Sequence, residues 1–184
     1  MTVVIVGAGP AGMRAAEQLV AAGQRPVVID EARRFGGQIY RQPPAVMQRD
    51  RRDLYGFEAG KAKALFERFA ALQSQLDHRP DTLVWQIEDR RLHLLSGDRT
   101  DTLPFDALIL ATGATDRVLP FPGWTLPGVF TLGAAQVALK AQLVGMGIHQ
   151  HLALPGHVAE NAMADRRTHT PSAMLAQDAR GCRQ

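Results

Sequence analysis

The stretch from Val3 to Gly12 constrains the fold more than any other part of the chain. It reads Val-Val-Ile-Val-Gly-Ala-Gly-Pro-Ala-Gly, so an apolar β-branched run enters a Gly-x-Gly-x-x-Gly turn, and an alanine-rich helical pattern follows. Because the apolar run does not alternate with polar residues, it predicts a buried parallel strand over residues 2–6. Strand, turn and helix in this order are the context that a dinucleotide-binding fingerprint needs.

Each glycine of the turn has its own structural role. Gly7 permits the tight turn, Gly9 lets the backbone approach a pyrophosphate, and Gly12 allows the helix to lie close to the strand. The helix then directs its free N–H groups and the positive end of its dipole towards the phosphates. The turn alone fits any dinucleotide, so the nature of the ligand depends on the residues that follow.

A second apolar run, over residues 27–29, ends at an acidic pair, Asp30 and Glu31. The helical spacing of apolar residues between the two runs, with Gly23 at the expected C-cap, completes a βαβ unit. A carboxylate at the tip of the second strand can accept hydrogen bonds from ribose hydroxyls and would repel a 2′-phosphate, which argues against NADP. Asp30 is favoured for this role because it directly ends the apolar run, and Glu31 is the alternative.

Gly36 and Gly37 follow the acidic pair after a short basic loop. Two glycines mark either a plain turn or a backbone that passes close to a ligand, and the upstream fingerprint favours a cofactor. The polar, proline-containing sequence of residues 41–53 predicts a surface loop. Apolar residues at the i, i+4 and i+7 spacing then predict a helix over residues 57–76, which ends before Arg79-Pro80-Asp81.

Short apolar runs separated by turn residues predict three strands, over residues 82–87, 92–95 and 100–105. Together they form a small antiparallel meander. A buried strand over residues 107–110 follows and runs into Ala111-Thr112-Gly113-Ala114, the second place where a strand ends in a turn of small residues.

Composition and charge narrow the function classes. The chain has 184 residues, a net charge of +3 and scattered arginines without interleaved aromatics, so a solvated surface is favoured over a nucleic-acid interface. The single cysteine, Cys182, excludes a disulfide and a cysteine zinc site within this chain. His149, His151 and His157 lack a carboxylate or cysteine at fitting spacing, so no metal site is expected. No signal peptide or membrane span is visible, which indicates a cytoplasmic protein.

Together, these motifs resemble the FAD-binding region of the two-dinucleotide-binding, pyridine nucleotide-disulfide oxidoreductase-like flavoproteins. More narrowly, residues 36–43 and 113–129 are similar to the flavoprotein subunits of opine oxidase and hydrogen cyanide synthase. The resemblance implies an α/β fold, with a Rossmann-like parallel sheet and an inserted antiparallel β-meander. It covers residues 2–143 and therefore predicts an FAD-binding domain over residues 1–143.

The resemblance also implies the cofactor, FAD, and the residues that bind it. The residues implied for the pyrophosphate are Gly7, Gly9, Pro10, Ala11 and Gly12. Those implied for the adenosine end are Asp30 or Glu31 at the ribose and the backbone of Val84 at the adenine edge. Those implied for the flavin side are Gly36, Gly37 and Gln38, with Ala111, Thr112 and Gly113 closing over the cofactor. No catalytic residue is identified. For Tyr40 and Arg41, a role as loop anchors is favoured over a catalytic role.

Two segments of the family pattern are missing from the sequence. These are the second Gly-x-Gly-x-x-Gly turn, which binds a nicotinamide dinucleotide, and a later Gly-Asp segment that completes the flavin site. Residues 144–184 are polar and patternless, and predict a divergent, poorly ordered tail. The fold is therefore expected to be incomplete relative to the family, as in a truncated or frameshifted reading frame or a divergent short protein.

Three functions are consistent with the sequence. The resemblance implies an FAD-dependent oxidoreductase, the flavoprotein subunit of an amino-acid or opine-type dehydrogenase that passes hydride from a C–H next to nitrogen to FAD. Its partners would be a small amino-acid-like substrate and other subunits of a hetero-oligomer. The alternative is a truncated, inactive dinucleotide-binding remnant. A simple NAD-binding module is disfavoured, because it needs neither the Gly36-Gly37 pair nor the meander.

Overall fold

Four parallel strands form the central sheet of the computed structural model, which describes residues 1–46, 49–141, 151–154 and 157–160. Their order across the sheet is β3 (Asp77–Arg79), β2 (Val27–Ile29), β1 (Val3–Val6) and β7 (Ala107–Leu110). The two inner strands, β1 and β2, are buried over most of their length, as an apolar run without alternation requires. The predicted Rossmann-like parallel sheet is confirmed.

Helix α1 (Pro10–Ala21) connects β1 to β2 and buries Met13 and Ala16. It begins with proline at its first position, where the missing N–H removes no hydrogen bond. It ends before Gly23, which has a φ of 74° and donates its N–H to the Val20 carbonyl at 2.9 Å. The predicted C-cap glycine is therefore in place.

The segment between β2 and β3 differs from the prediction in two ways. A short helix, α2 (Arg51–Tyr55), lies partly in the predicted loop, because the Asp50 carboxylate accepts the Arg52 N–H at 2.7 Å and caps it. Within the predicted helix over residues 57–76, only α3 (Ala59–Ala71) is α-helical, and 3-10 turns flank it at Gly56–Glu58 and Gln73–Gln75. Strand β3 follows it and pairs in parallel with β2.

The predicted meander is confirmed as a separate three-stranded antiparallel sheet of β4 (Leu83–Glu88), β5 (Arg91–Ser96) and β6 (Arg99–Pro104). Leu92 and Leu94 of β5 are buried in a hydrophobic cluster with residues of the parallel sheet, namely Val4, Val27 and Ile29. This cluster attaches the meander to the sheet, whereas α1 and α3 contribute to a second cluster that contains Ile5 and Val28.

Helix α4 (Leu132–Ala141) has no counterpart among the predicted elements. Its N-terminus is capped twice, since the Thr131 hydroxyl accepts the Ala134 N–H at 3.1 Å and the Asp116 carboxylate accepts the Gly133 N–H at 2.7 Å.

The chain divides into two compact units, one of Met1–Pro122 with Phe130–Met146 and one of Gly123–Val129 with Gly147–Gln184. The second unit contains an antiparallel pair, β8 (His151–Leu154) and β9 (His157–Glu160). Apart from this pair, the tail predicted for residues 144–184 lies outside the described residues, as does the predicted domain boundary at residue 143. None of the helices in the described ranges has the length and apolar character to cross a membrane.

Candidate dinucleotide-binding site

The turn between β1 and α1 is packed so closely that side chains are excluded. Gly7 has a φ of 106°, and a Cβ atom there would overlap the Ala111 carbonyl oxygen. A Cβ atom at Gly12 would overlap the Gly7 carbonyl oxygen, because α1 lies directly against the turn. The Gly7 N–H donates to the Ile29 carbonyl at 2.7 Å and ties the turn to β2. The first and third glycines of the fingerprint therefore have the structural roles that their spacing predicts.

The second glycine of the fingerprint lies against the Gly36-Gly37 pair. The position of a Cβ atom on Gly9 is 3.7 Å from the Gly37 Cα, and a Cβ atom on Gly37 would be 2.9 Å from the Gly9 Cα. The Gly36 N–H donates to the Ala8 carbonyl at 2.8 Å. Two turns that are far apart in the sequence thus meet backbone to backbone, without side chains between them.

The N-terminus of α1 opens at this junction. Met13 is the first residue whose N–H has an intrahelical partner, the Gly9 carbonyl at 2.9 Å, so the N–H groups of Ala11 and Gly12 are free within the helix. Pro10 has no N–H, Gly9 provides no side-chain cap, and the first turn contains no acidic residue. Free donors and an uncompensated helix dipole suit an anion such as a pyrophosphate.

The two acidic residues at the end of β2 have different surroundings. Asp30 is partly buried, and one of its carboxylate oxygens accepts the Ala8 N–H while the other accepts the Ala32 N–H at 2.7 Å. Glu31 is exposed, and its carboxylate has no hydrogen-bond partner among the described residues. Asp30 therefore fixes the glycine turn, a role that sequence reasoning missed.

Val84 belongs to the start of the meander, close to the acidic pair. The Thr82 N–H donates to the Asp30 carbonyl at 3.0 Å, and the Asp81 N–H donates to the Ala32 carbonyl at 3.3 Å. Val84 lies two residues further along and packs on the cluster that joins the meander to the parallel sheet. The structure thus brings Val84 to the same end of the sheet as Asp30 and Glu31.

The small-residue turn after β7 lies against the fingerprint. The Ala111 N–H donates to the Val6 carbonyl at 2.8 Å, and the backbone of Ala111 and Thr112 faces Gly7. Gly113 has a φ of 78° and open space around its Cβ position. Gln38 is exposed, and its side-chain oxygen accepts two hydrogen bonds from the Arg41 guanidinium, at 3.0 and 3.2 Å.

A network of side chains holds the loop that follows Gly37. The buried Tyr40 hydroxyl donates to the Glu58 carboxylate at 2.8 Å, and Lys61 donates to the same carboxylate at 2.8 Å. Burial and the bond to Glu58 raise the pKa of Tyr40, while the bonds from Lys61 and Tyr40 lower the pKa of Glu58. Tyr40 is thus the loop anchor that was expected.

Helix α4 adds a further link to this loop. The Lys140 ammonium donates to the Ile39 carbonyl at 2.7 Å and lies 5.9 Å from the centre of the Tyr55 ring. Burial lowers the pKa of Lys140. The bond to Ile39 spans 101 residues, so no local sequence signal could have revealed it.

Metal ligation finds no support in the part of the chain that the structure describes, where no three His, Cys, Asp or Glu side chains cluster. Of the three histidines considered from the sequence, His149 lies outside the described residues, and only the backbone of His151 and His157 is described.

The chain is similar to known proteins over most of its length. Residues 1–155 match the family model described as pyridine nucleotide-disulphide oxidoreductase. An opine oxidase subunit from Agrobacterium tumefaciens is 42% identical over 146 residues, which cover 74% of this chain and 28% of that protein. Hydrogen cyanide synthase subunit HcnB from Pseudomonas protegens is 40% identical over 144 residues, covering 77% of this chain and 30% of that protein.

The crystal structure of L-proline dehydrogenase from P. horikoshii has the same fold, with a TM-score of 0.61 and 24% identity. The match covers 76% of this chain and 28% of that chain. The chain thus spans less than a third of the length of these relatives.

Proposed function

Because the chain belongs to the pyridine nucleotide-disulphide oxidoreductase family, we propose that the junction of Gly9, Gly37 and the α1 N-terminus binds FAD. The observation that carries this proposal is the contact of Gly9 with Gly37, which has no side chain between the two backbones. A Cβ atom added to Gly9 would be 3.7 Å from the Gly37 Cα. A backbone surface of this kind lets a pyrophosphate approach the free N–H groups of Ala11 and Gly12. Pro10 and Gly7 shape the turn around it, and Gly12 keeps the helix in position.

For the adenosine end, we propose Glu31 as the ribose ligand and Asp30 as the residue that positions the turn. Both Asp30 oxygens already accept backbone N–H groups, whereas the Glu31 carboxylate is exposed. Because the adenosine ribose of FAD has a free 2′-hydroxyl, a carboxylate can accept its hydrogen bond. The backbone of Val84, at the same end of the sheet, is proposed for the adenine edge.

For the flavin side, we propose the segments Gly36-Gly37-Gln38 and Ala111-Thr112-Gly113. The first segment is held by Tyr40 and by Lys140, and the second by the bond from Ala111 to Val6. These fixed segments position the cofactor, which itself supplies the redox chemistry when it is bound.

The activity that we propose is that of a flavoprotein subunit of an amino-acid or opine-type dehydrogenase. The substrate is a small amino-acid-like molecule. A C–H bond next to its nitrogen donates hydride to FAD. The 42% identity to a protein of opine oxidase and the 40% identity to HcnB of hydrogen cyanide synthase support this class. Both relatives are named as subunits, which supports a hetero-oligomer in which another chain accepts the electrons.

A second candidate is a dinucleotide-binding remnant without activity. This candidate uses the same dinucleotide-binding turn as the first and needs no catalytic residue. The two candidates differ in whether bound FAD can be reduced by a substrate.

The experiment is to purify the chain, add FAD, desalt it and record its visible spectrum, together with the variants Gly9→Ala and Gly60→Ala. A Cβ atom at Gly9 fits the fold but fills the phosphate approach, whereas one at Gly60 on α3 meets nothing within 4 Å. We expect flavin absorbance in the wild type and in Gly60→Ala, and its loss in Gly9→Ala with an unchanged circular dichroism spectrum. A wild-type chain that takes up no FAD contradicts the proposal.

Anaerobic addition of amino acids and N-carboxyalkyl amino acids to the FAD-loaded chain then separates the two candidates. Bleaching of the flavin bands supports the dehydrogenase function. An FAD-loaded chain that no such compound bleaches supports the remnant.

A further inference from the structure

A cavity of about 320 Å³ lies beside the loop that follows Gly36 and Gly37. Its walls combine positive charge with apolar surface. The residues that define its character are Arg34, Arg49, Arg51, Pro43, Tyr55 and Phe66. None of them belongs to the proposed FAD site.

The three arginines line one cavity, Arg34 from the loop after β2 and Arg49 and Arg51 from the start of α2 and the residues before it. Arg34 donates to the Pro43 carbonyl at 2.6 Å, and the Arg51 guanidinium lies 5.8 Å from the centre of the Phe66 ring. These contacts limit the freedom of both side chains before any ligand arrives. All three arginine side chains are exposed to solvent.

The charge of these arginines is not neutralised within the described residues. Arg34, Arg49 and Arg51 form no ion pair with any acidic side chain of residues 1–46 and 49–141, although Arg14, Arg33, Arg68 and Arg79 do. Burial raises the pKa of Tyr55, and the charges of Arg51 and Arg34 oppose that rise, so both charges act at the same phenol. Like charges held together without a counterion favour an anionic ligand.

The floor of the cavity is aromatic and apolar. Leu54, Tyr55 and Phe66 are buried there, and the Tyr55 hydroxyl already donates to the Arg41 carbonyl at 3.0 Å. The cavity thus has apolar side chains in its lining, while its unused hydrogen-bond donors are in the guanidinium groups. Sites for small molecules begin at roughly 300 Å³, so the cavity is large enough for a small organic ligand.

We propose that this cavity binds a small organic anion with an apolar body and at least two negative charges, carried by carboxylate or phosphate. A guanidinium group offers a planar pair of donors that matches either anion. One negative charge would leave most of the arginine charge uncompensated, so the second charge is part of the proposed ligand. The proposal stands on the arginine cavity alone and does not depend on FAD binding.

Isothermal titration calorimetry of the full chain tests it with isophthalate, phenyl phosphate and benzoate, each with and without added FAD. We expect isophthalate or phenyl phosphate to bind about tenfold or more tightly than benzoate, which has one charge, and to bind more weakly as ionic strength rises. Preference for isophthalate identifies a carboxylate ligand, and preference for phenyl phosphate identifies a phosphate ligand. Absence of binding by both dianions overturns the proposal.

Matched variants locate the binding. The double variant Arg49→Gln and Arg51→Gln removes two charges from the cavity, whereas Arg52→Gln removes one charge beside Arg51 on α2, outside the cavity lining. We expect a loss of affinity of about tenfold or more in the double variant and an unchanged affinity in Arg52→Gln. Equal weakening in both would show that overall charge, and not this cavity, attracts the anion.

The Gly9→Ala variant separates the two sites. If dianion binding persists when FAD uptake is lost, the arginine cavity is independent of the proposed FAD site. If dianion binding disappears in Gly9→Ala, the anion binds at the fingerprint turn and the cavity proposal is wrong.

Discussion

The turn between β1 and α1 has no room for a side chain at Gly12. A methyl group there would overlap the Gly7 carbonyl oxygen, which belongs to backbone that cannot move without separating α1 from β1. We expect Gly12→Ala to lower the free energy of unfolding by about 3 kcal/mol. Gly60→Ala, in an open helical position, should instead raise it by about 0.5–1 kcal/mol. Urea denaturation followed by circular dichroism measures both, and a Gly12→Ala chain as stable as the wild type would contradict the packing described.

His78 makes stability depend on pH. Its Nε2 atom is buried without a hydrogen-bond partner in the described residues, and its ring packs against the Phe69 ring at 5.5 Å. Burial lowers the pKa of His78, although the carboxylates of Asp30 and Asp77 oppose this. The unfolded chain therefore binds a proton near pH 6.5, whereas the folded chain binds it only at lower pH.

The contribution of His78 to the free energy of unfolding should thus be constant above about pH 6.5. As the pH falls below this value, the free energy of unfolding should decrease by at most about 1.4 kcal/mol per pH unit. We expect His78→Leu to reduce that slope between about pH 5 and 7, and His93→Gln, on the meander, to retain it. Urea denaturation at several pH values measures the slopes. The same slope in His78→Leu and in the wild type would assign the pH dependence to other groups.

At the scale of elements, local pattern decides what the sequence can predict. Strand β1, helix α1 and the meander were predictable because each has its own periodicity and turn residues. Strand β3 was not, since Asp77-His78-Arg79 has no apolar pattern and becomes a strand only by pairing with the open edge of β2. Helix α4 was not predicted although its first cap, Thr131, is local, whereas its second cap, Asp116, is 17 residues away from Gly133 and gives no local signal.

That distant cap yields a prediction for α4. The Asp116 carboxylate accepts the Gly133 N–H at 2.7 Å and also opposes the positive end of the helix dipole. We expect Asp116→Ala to lower the free energy of unfolding by about 1 kcal/mol. Asp116→Asn keeps an oxygen acceptor and should lose only the charge contribution, about half of that. Thermal unfolding distinguishes the two variants, and equal stability of Asp116→Ala and the wild type would show that the cap is dispensable.

At the scale of the whole molecule, the site forms where segments distant in sequence converge. The glycines that meet at the fingerprint could be identified from the motif. The prediction that they bind the same cofactor followed from the family resemblance. The hydrogen bonds of Asp30 and Lys140 could not, because they join backbone 22 and 101 residues away whose position depends on the folded sheet. The arginine cavity was equally hidden, since scattered arginines in a sequence give no sign of convergence.

The meander and the parallel sheet should unfold as one cooperative unit. Leu92 is fully buried in the cluster that it shares with Val4 and Val27, so removing its side chain leaves a cavity between the two sheets. We expect Leu92→Ala to lower the free energy of unfolding by about 2–5 kcal/mol. Leu95→Ala, at a partly exposed position of the same strand, should cost about 1 kcal/mol.

Amide hydrogen exchange shows whether Leu92→Ala destabilises both sheets or the meander alone. In a cooperative unit, Leu92→Ala accelerates exchange in β1 and β2 as much as in β5, because all three strands open in the same global event. If exchange accelerated in β4, β5 and β6 alone, the meander would open independently of the parallel sheet, and the cluster would join two separately stable units.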